Sequence, residues 1–363
     1  MQTSKDAVDA LLRGRMAEYV PLEDNPWGDT LRKWVTQGMP TNGDGGAVDA
    51  ADHFGFDMAG VGGWFRWEAL EPRTVEETDE WKIVRNGNGA LLKWWKSKSG
   101  TPEHVDFDMS CRAVWDEKYR PHLLGDHGKR VGDVQATREN LARRRDQGKW
   151  AFYGNQFVWE CLRASLGDVN MLMALIEDPE WIHDFNRVHT DMWKECYRIL
   201  FEEAGLPDGI WVYEDLGYRE RLFCSPELLR DLIFPYYKEL VAFFHGYDLP
   251  VVFHSCGYQE PMIPLAIDAG FDALNPMEAK AGNDLLAYAD RYGDELCFVG
   301  GLDARVLESG ERDAVEREVK ALVGGMRERG ARFVYGSDHS LSTNIDYEDF
   351  VYSLEVYREV CTN

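Results

Sequence analysis

From residue 150 onward the chain alternates short β-rich runs with longer stretches of helical periodicity, and this alternation restricts the possible folds more than any other feature. The β-rich runs cover residues 150–153, 209–213, 250–253, 271–274, 296–299 and 332–335. The helical stretches between them cover residues 170–204, 226–245, 260–269, 283–292 and 313–329. Repeated strand–helix units predict a parallel sheet, either doubly wound or closed into a barrel.

Polar side chains follow the β-rich runs, and their distribution favours the barrel. They are Asn155, Gln156, Glu214, Asp215, His254, Cys256, Asn275, Glu278, Asp303, Asp338 and His339. A doubly wound sheet would gather such groups at one switch point, whereas a barrel collects them around the rim at the carboxyl ends of its strands. With a further strand near residues 54–61, we expect an α/β fold of the (β/α)8 TIM-barrel type.

The N-terminal region does not show the strand–helix alternation of the later residues. Residues 1–50 are predicted as an irregular helical arm with helices near 6–19 and 30–37, and residues 51–363 as a single barrel domain. Alternation over residues 76–95 around Asn86-Gly87-Asn88-Gly89 predicts a β-hairpin. Residues 101–149 are charged and helical in character.

Composition excludes several classes of protein. The 363 residues carry 40 basic and 64 acidic side chains, a formal net charge of −24, which disfavours nucleic acid as a partner. No apolar run is long enough to span a membrane, and the thirteen Trp residues imply a large folded core. The seven cysteines are scattered without a Cys-x-x-Cys pair, which favours a reducing cytoplasm.

The stretch His254-Ser255-Cys256-Gly257, directly after a predicted strand, can carry metal chemistry. Imidazole and thiolate at positions i and i+2 can converge on one cation, and zinc is the natural candidate. His339 is the best third ligand, and Glu214 or Asp215 could be the fourth. The alternative is a buried thiol beside a histidine with an ordinary hydrogen bond.

Other polar residues of the predicted rim are candidates for substrate binding or proton transfer. Asp303 follows two glycines and is an acid/base candidate or a helix N-cap. Asn275 displays an amide at the rim, and Trp64 is a pocket wall or a core residue. Motifs for nucleotide, nicotinamide and simple serine-hydrolase chemistry (GxGxxG, the P-loop, GxSxG) are absent from the sequence.

Several stretches together resemble the uroporphyrinogen decarboxylase superfamily over residues 150–360. They are Ser225-Pro226-Glu227-Leu228, Pro235-Tyr236-Tyr237-Lys238, Phe253-His254-Ser255-Cys256-Gly257, Ala273-Leu274-Asn275-Pro276, Phe298-Val299-Gly300-Gly301-Leu302-Asp303 and Tyr335-Gly336-Ser337-Asp338-His339. The resemblance implies a (β/α)8 barrel and one of two chemistries. One is cofactor-free decarboxylation of a porphyrinogen; the other is zinc-dependent methyl transfer between a methylcorrinoid protein and a thiol.

Departures from the family pattern bear on the choice between the two. The propionate-gripping Arg-Gln-Ala-Gly-Arg stretch of the decarboxylases is missing, and Gly62-Gly63-Trp64 stands where their Asp is expected. The methyltransferases bind zinc through a His-x-Cys and a distant Cys. Here His254 and Cys256 match the first two positions, and His339 occupies the third.

The resemblance therefore implies a methyltransferase with one zinc per chain on His254, Cys256, His339 and Glu214. A corrinoid on a partner protein would supply the methyl group to a small thiol or related acceptor. The resemblance also implies a homodimer. Asp303 and Asp338 are the predicted catalytic residues, and the predicted substrate-binding residues are Asn155, Asp215, Asn275 and Trp64.

Two alternatives stay open. A cofactor-free decarboxylase would act on a porphyrinogen or another carboxylic acid, with Arg305 or Arg66 gripping the carboxylate. A non-catalytic barrel would bind a tetrapyrrole or a partner without turnover.

Overall fold

The computed structural model describes residues 2–97 and 102–362. Its strands are β1 (Met58–Gly62), β2 (Arg73–Glu77), β3 (Trp81–Arg85), β4 (Ala90–Trp95), β5 (Glu103–Phe107), β6 (Trp150–Asn155), β7 (Gly209–Glu214), β8 (Val251–Ser255), β9 (Ala273–Asn275), β10 (Cys297–Val299) and β11 (Phe333–Val334). Its helices are α1 (Ser4–Leu12), α2 (Gly28–Thr36), α3 (Ala50–Phe54), α4 (Arg112–Val114), α5 (Val134–Asp146), α6 (Val158–Glu177), α7 (Pro179–Ala204), α8 (Pro226–Leu232), α9 (Phe234–His245), α10 (Ile263–Ala269), α11 (Leu285–Tyr292), α12 (Ala304–Glu308), α13 (Arg312–Glu328) and α14 (Tyr347–Val360). Short 3₁₀ or π turns supplement them.

The main sheet is parallel and curled, and its seven strands follow the order β1-β6-β7-β8-β9-β10-β11. All six β-rich runs predicted after residue 150 become strands of this sheet, and β1 is the further strand predicted near residues 54–61. Neighbouring strands are consecutive along the chain apart from the insertion between β1 and β6. A parallel α/β fold with its strand ends on one rim is thus confirmed.

A short segment of the N-terminal arm lies between the two edge strands of the curled sheet. The backbone N–H of Tyr335, just after β11, donates to the Pro21 carbonyl at 2.7 Å, and Glu23 N–H donates to the Tyr335 carbonyl at 2.8 Å. On the other side, Asp57 N–H donates to the Leu22 carbonyl at 2.8 Å, just before β1. The arm therefore satisfies backbone groups at both edges.

Side chains alternate between the two faces of the parallel sheet and fill two apolar clusters. On the concave face, Trp150, Phe152, Trp211 and Val252 pack with buried residues of α1. The convex face packs against the surrounding helices. Burying an aliphatic or aromatic side chain of this size contributes about 1.5–3 kcal/mol. With α1 covering the amino ends of the strands, the carboxyl ends are left to form a site.

A second, antiparallel sheet of β2, β3, β4 and β5 occupies the insertion between β1 and β6. The predicted hairpin is its β3–β4 pair, with Asn86–Gly89 as the turn and the Asn86 side chain accepting from the N–H groups of Asn88 and Ala90. The helical prediction for residues 101–149 holds for α5 but is wrong for β5. That strand is largely exposed and carries no clear apolar alternation.

Several predicted helices are shorter or divided. The helix expected over residues 6–19 ends at Leu12, because Gly14 takes φ +78°. The stretch 170–204 splits between α6 and α7 at Asp178-Pro179, where the Asp178 carboxylate accepts from Trp181 N–H at 3.0 Å as an N-cap. Within the described residues, no helix combines the length and apolarity needed to cross a bilayer.

Candidate metal centre

Five side chains with metal-binding atoms converge at the carboxyl ends of β7, β8, β9 and β11. They form two overlapping groups, Asp215 with His254 and Cys256, and Cys256 with Glu278 and His339. Within each group the ligand atoms all lie within 4.8 Å of one another. The three residues predicted first as ligands, His254, Cys256 and His339, thus meet through Cys256.

The orientation of His254 is fixed by a neighbouring amide. Asn275 Nδ2 donates to the Val299 carbonyl at 3.0 Å, which turns its Oδ1 toward His254 Nδ1 at 2.6 Å. Because Oδ1 can only accept, Nδ1 carries the proton, and the lone pair of Nε2 faces Cys256 Sγ at 3.4 Å. Burial lowers the pKa of His254, which keeps the ring neutral. A neutral imidazole with its outer nitrogen hydrogen-bonded is the form in which histidine binds metals.

Cys256 lies among carboxylates. Its backbone N–H donates to Asp215 Oδ1 at 2.9 Å. Burial, followed by the charges of Asp215 and Glu278, raises the pKa of the Cys256 thiol well above its usual value. A bound cation reverses this electrostatic effect and stabilises the thiolate. Imidazole, thiolate and carboxylate donors are the ligands that zinc accepts, so the residues fit this metal.

Glu278 and His339 complete the cluster from the side of β9 and β11. His339 Nε2 lies 3.7 Å from Glu278 Oε1, and Glu278 is buried. Asp338 accepts from the backbone N–H groups of Ala279, at 2.9 Å, and Ala304, at 2.8 Å. It thereby ties the segment that carries Glu278 to the loop after β10.

The structure places Glu214 outside this cluster. Its fully buried carboxylate accepts from the N–H groups of Phe157 and Trp159 at the start of α6 and from the hydroxyl of Tyr237. Burial raises the pKa of Glu214 to about 8. Since adjacent residues of a strand face opposite ways, Glu214 points toward α6, and Asp215 reaches the metal-binding groups.

Two further predicted residues have local hydrogen-bonding partners. Asp303 caps α12 through the N–H of Arg305 at 2.9 Å and pairs with the Arg305 guanidinium. Asn155 donates to the Gly63 carbonyl at 2.9 Å and accepts from Gln156 N–H, fixing the turns after β1 and β6.

A cavity of about 330 Å³ adjoins the cluster and opens at the carboxyl ends of the strands. Trp64 and Asn275, two of the predicted substrate-binding residues, line it together with His254 and His339. Further lining comes from Glu23, Asp24, Asn25, Gly60, Gly62, Phe152, Gly154, Trp211, Tyr213, Pro276, Ser337 and Ser340.

Sequence reasoning missed the contribution of the N-terminal arm. Glu23 and Asp24 line the cavity, and Asp24 accepts from the Ser337 hydroxyl at 2.6 Å. Burial raises the pKa of Asp24 to about 6. The adjacent acids were visible in the sequence, but their place beside the site depends on the contacts of the arm with β11, about three hundred residues away.

No arginine or lysine stands among the described residues that line this cavity. The two arginines considered for gripping a carboxylate are paired with acidic neighbours, Arg66 with Glu71 and Arg305 with Asp303. The cavity wall therefore combines acidic, polar and aromatic groups.

Together these features define an α/β protein with a parallel curled sheet and a candidate metal centre at the carboxyl ends of its strands. Residues 163–360 match the family model of uroporphyrinogen decarboxylase (URO-D), and the chain belongs to this family, as its motifs predicted. A solved structure of a methyltransferase from Methanosarcina mazei shares the fold with a TM-score of 0.65, at 16% sequence identity and over 99% of each chain. No curated protein matches the sequence.

Proposed function

We propose that this protein is a zinc-dependent methyltransferase that moves a methyl group between a methylcorrinoid and a small thiol. The observation that carries the proposal is the convergence of His254, Cys256, His339 and Glu278, with Asn275 directing the Nε2 lone pair of His254 into the cluster. The fold shared with a methyltransferase is consistent with it.

His254, Cys256 and His339 would hold one zinc per chain, with Glu278 as the neighbouring carboxylate in place of Glu214. When bound, zinc supplies a Lewis acid that lowers the pKa of an acceptor thiol and keeps it as thiolate near neutral pH. Asn275 keeps His254 in the ligating tautomer, and Asp338 positions the segment of Glu278.

Proton and methyl transfer balance without an oxidant or reductant. The acceptor thiol loses its proton to Asp215, which lies at the metal-binding cluster with its Oδ1 3.7 Å from His254 Nε2. The new bond joins sulfur to the methyl carbon, the bond between donor and methyl breaks, and the donor keeps the electron pair. Asp303 is bound to Arg305 and acts as a helix cap in this proposal.

The composition of the cavity wall favours methyl transfer over decarboxylation. A decarboxylase must neutralise the carboxylate of its substrate, and a wall with acidic residues and no lysine or arginine among the described lining residues repels one. Arg66 and Arg305 are each paired with an acidic neighbour, which also disfavours a role in binding a substrate carboxylate. A binding protein without turnover would leave the convergence of ligating atoms unexplained.

We place the methyl donor on a corrinoid-carrying partner that docks at the strand ends, where Trp64 is 59% exposed beside the cavity. We further propose that the seven strands and the segment at residues 21–23 together form the eight positions of a closed barrel. We also propose that the protein is cytoplasmic and forms a homodimer.

The test is a methyl-transfer assay with the zinc-loaded protein, methylcobalamin and a panel of small thiols. We expect methyl thioether and demethylated corrinoid in equal amounts, and loss of both in Cys256→Ala. Cys111→Ala, which replaces an exposed thiol, is the matched control. Full activity of Cys256→Ala, or decarboxylation without metal, would overturn the proposal.

A further inference from the structure

A row of aromatic rings leads away from the candidate metal centre along the cavity wall. The ring of Tyr213 lies 5.4 Å from that of His254, and Trp64 stacks on Tyr213 at 5.2 Å. Trp211 follows at 6.0 Å from Tyr213, and Phe152 at 5.0 Å from Trp211. Four aromatic side chains thus line the cavity next to the ligating histidine.

Acidic groups accompany these rings. Glu23 and Asp24 line the same cavity, and burial, followed by the charge of Glu23, raises the pKa of the Tyr213 phenol. Burial, followed by the charges of Asp24 and Asp57, raises the pKa of Glu23 well above its usual value, so a cation bound beside it would stabilise its carboxylate form. Glu23 Oε2 is buried and has no hydrogen-bond partner within the described part of the chain. A buried carboxylate oxygen without a partner in a cavity wall favours a ligand that brings positive charge next to it.

Among the described residues, no lysine or arginine lines the cavity beside Glu23. The Lys149 ammonium acts on Glu23 electrostatically, but it donates to the carbonyls of Ala51 and Phe56 and is not part of the cavity wall. Aromatic faces and carboxylates together attract an organic cation. The attraction is strongest for a methylated ammonium, because it has no N–H groups with which to form hydrogen bonds.

From this geometry we infer that the acceptor is a small thiol whose far end carries an ammonium group, with its sulfur at His254 and Cys256 and its cation between the aromatic rings and Glu23. The inference rests on the proposed methyl transfer for the role of the sulfur. An anionic thiol would meet the Glu23 and Asp24 carboxylates instead and is disfavoured.

A charge series of thiols tests the inference by binding. Thiocholine, 2-mercaptoethanol and 3-mercaptopropionate place a cation, a neutral group and an anion after the same two-carbon spacer. Calorimetry with the zinc-loaded protein is expected to give thiocholine an affinity at least about tenfold above the other two. Equal or tighter binding of 3-mercaptopropionate would overturn the inference.

Two variants locate the cation. Trp64→Leu removes an exposed ring without disturbing the core, and Glu23→Gln removes a charge with little change in shape. Each is expected to weaken thiocholine binding about tenfold and to leave 2-mercaptoethanol unchanged. Glu139→Gln on the exposed face of α5 is the matched control. Unchanged thiocholine affinity in Trp64→Leu would contradict the inference even if Glu23→Gln fails to fold.

Tetramethylammonium separates this inference from the proposed function, because it has no sulfur and needs no metal. If it binds the chelator-treated protein and Trp64→Leu abolishes the binding, the cation site is supported even where zinc and methyl transfer fail. If methyl transfer occurs with all three thiols alike and tetramethylammonium does not bind, the inference is wrong and the proposed function stands.

Discussion

His254 Nδ1 lies 2.6 Å from Asn275 Oδ1, and this contact between neighbouring strands aims the other ring nitrogen of His254 at Cys256. The amide is itself fixed by the Val299 carbonyl on the next strand. Groups on three adjacent strands of the parallel sheet therefore fix the orientation of His254, one residue of the candidate metal centre. Such an outer hydrogen bond fixes both the tautomer and the direction of a histidine ligand.

Asn275→Ala is expected to weaken zinc binding about 10- to 100-fold, because His254 loses the acceptor that keeps its Nδ1 protonated. The measurement is a competition titration between the protein and a chromophoric chelator. Asn140→Ala, on the exposed surface of α5, should leave the affinity unchanged. Wild-type zinc affinity in a folded Asn275→Ala protein would show that the amide does not orient a ligand.

Glu214→Gln and Glu278→Gln should have opposite consequences. Glu214 satisfies two backbone N–H groups of α6 and the Tyr237 hydroxyl, so its replacement is expected to lower the free energy of unfolding by about 1–3 kcal/mol and to leave zinc stoichiometry intact. Glu278→Gln should weaken zinc binding with a smaller effect on stability. Denaturant unfolding and metal analysis of both variants make the comparison; zinc loss in Glu214→Gln alone would restore Glu214 as the ligand.

The pair of His245 and Asp272 gives a pH dependence of stability. His245 Nε2 lies 2.9 Å from Asp272 Oδ2, and this hydrogen bond raises the pKa of His245. A raised histidine pKa stabilises the fold fully below the unfolded-state pKa near 6.5, and this contribution is lost as pH rises through the folded-state pKa. The positive charge of Arg13 disfavours the protonated form of His245, and the negative charge of Asp248 favours it.

His245→Gln is therefore expected to lower the free energy of unfolding by about 0.2–1 kcal/mol at pH 5.5 and by less at pH 9. Urea unfolding at the two pH values provides the measurement, with His122→Gln on the surface as the control. A destabilisation that grows with pH would contradict the assigned protonation.

The parallel strands and the position of His254 and Cys256, the candidate metal-binding residues, were predictable from sequence because local rules determine both. A buried strand followed by His254 and Cys256 places the two side chains at the rim whatever the rest of the chain does. Glu278 also follows its strand, but choosing it over Glu214 requires the direction of each side chain. That direction depends on the start of α6, to which Glu214 is bonded.

The acidic part of the cavity could not be predicted in this way. Glu23 and Asp24 belong to an arm without regular structure at that point, and they reach the site through backbone pairing with Tyr335. No periodicity in the sequence encodes such a long-range contact. The exposed strands β2 and β5 were missed for a different reason, because they carry little apolar alternation.

Metal content of the purified protein beside Cys256→Ala tests the central claim most directly. After rinsing with a weak chelator, the wild type and Cys111→Ala should each retain about one zinc per chain, and Cys256→Ala should retain much less while still folded. No zinc in the wild type after reconstitution, or equal zinc in Cys256→Ala, would contradict a metal centre built on Cys256.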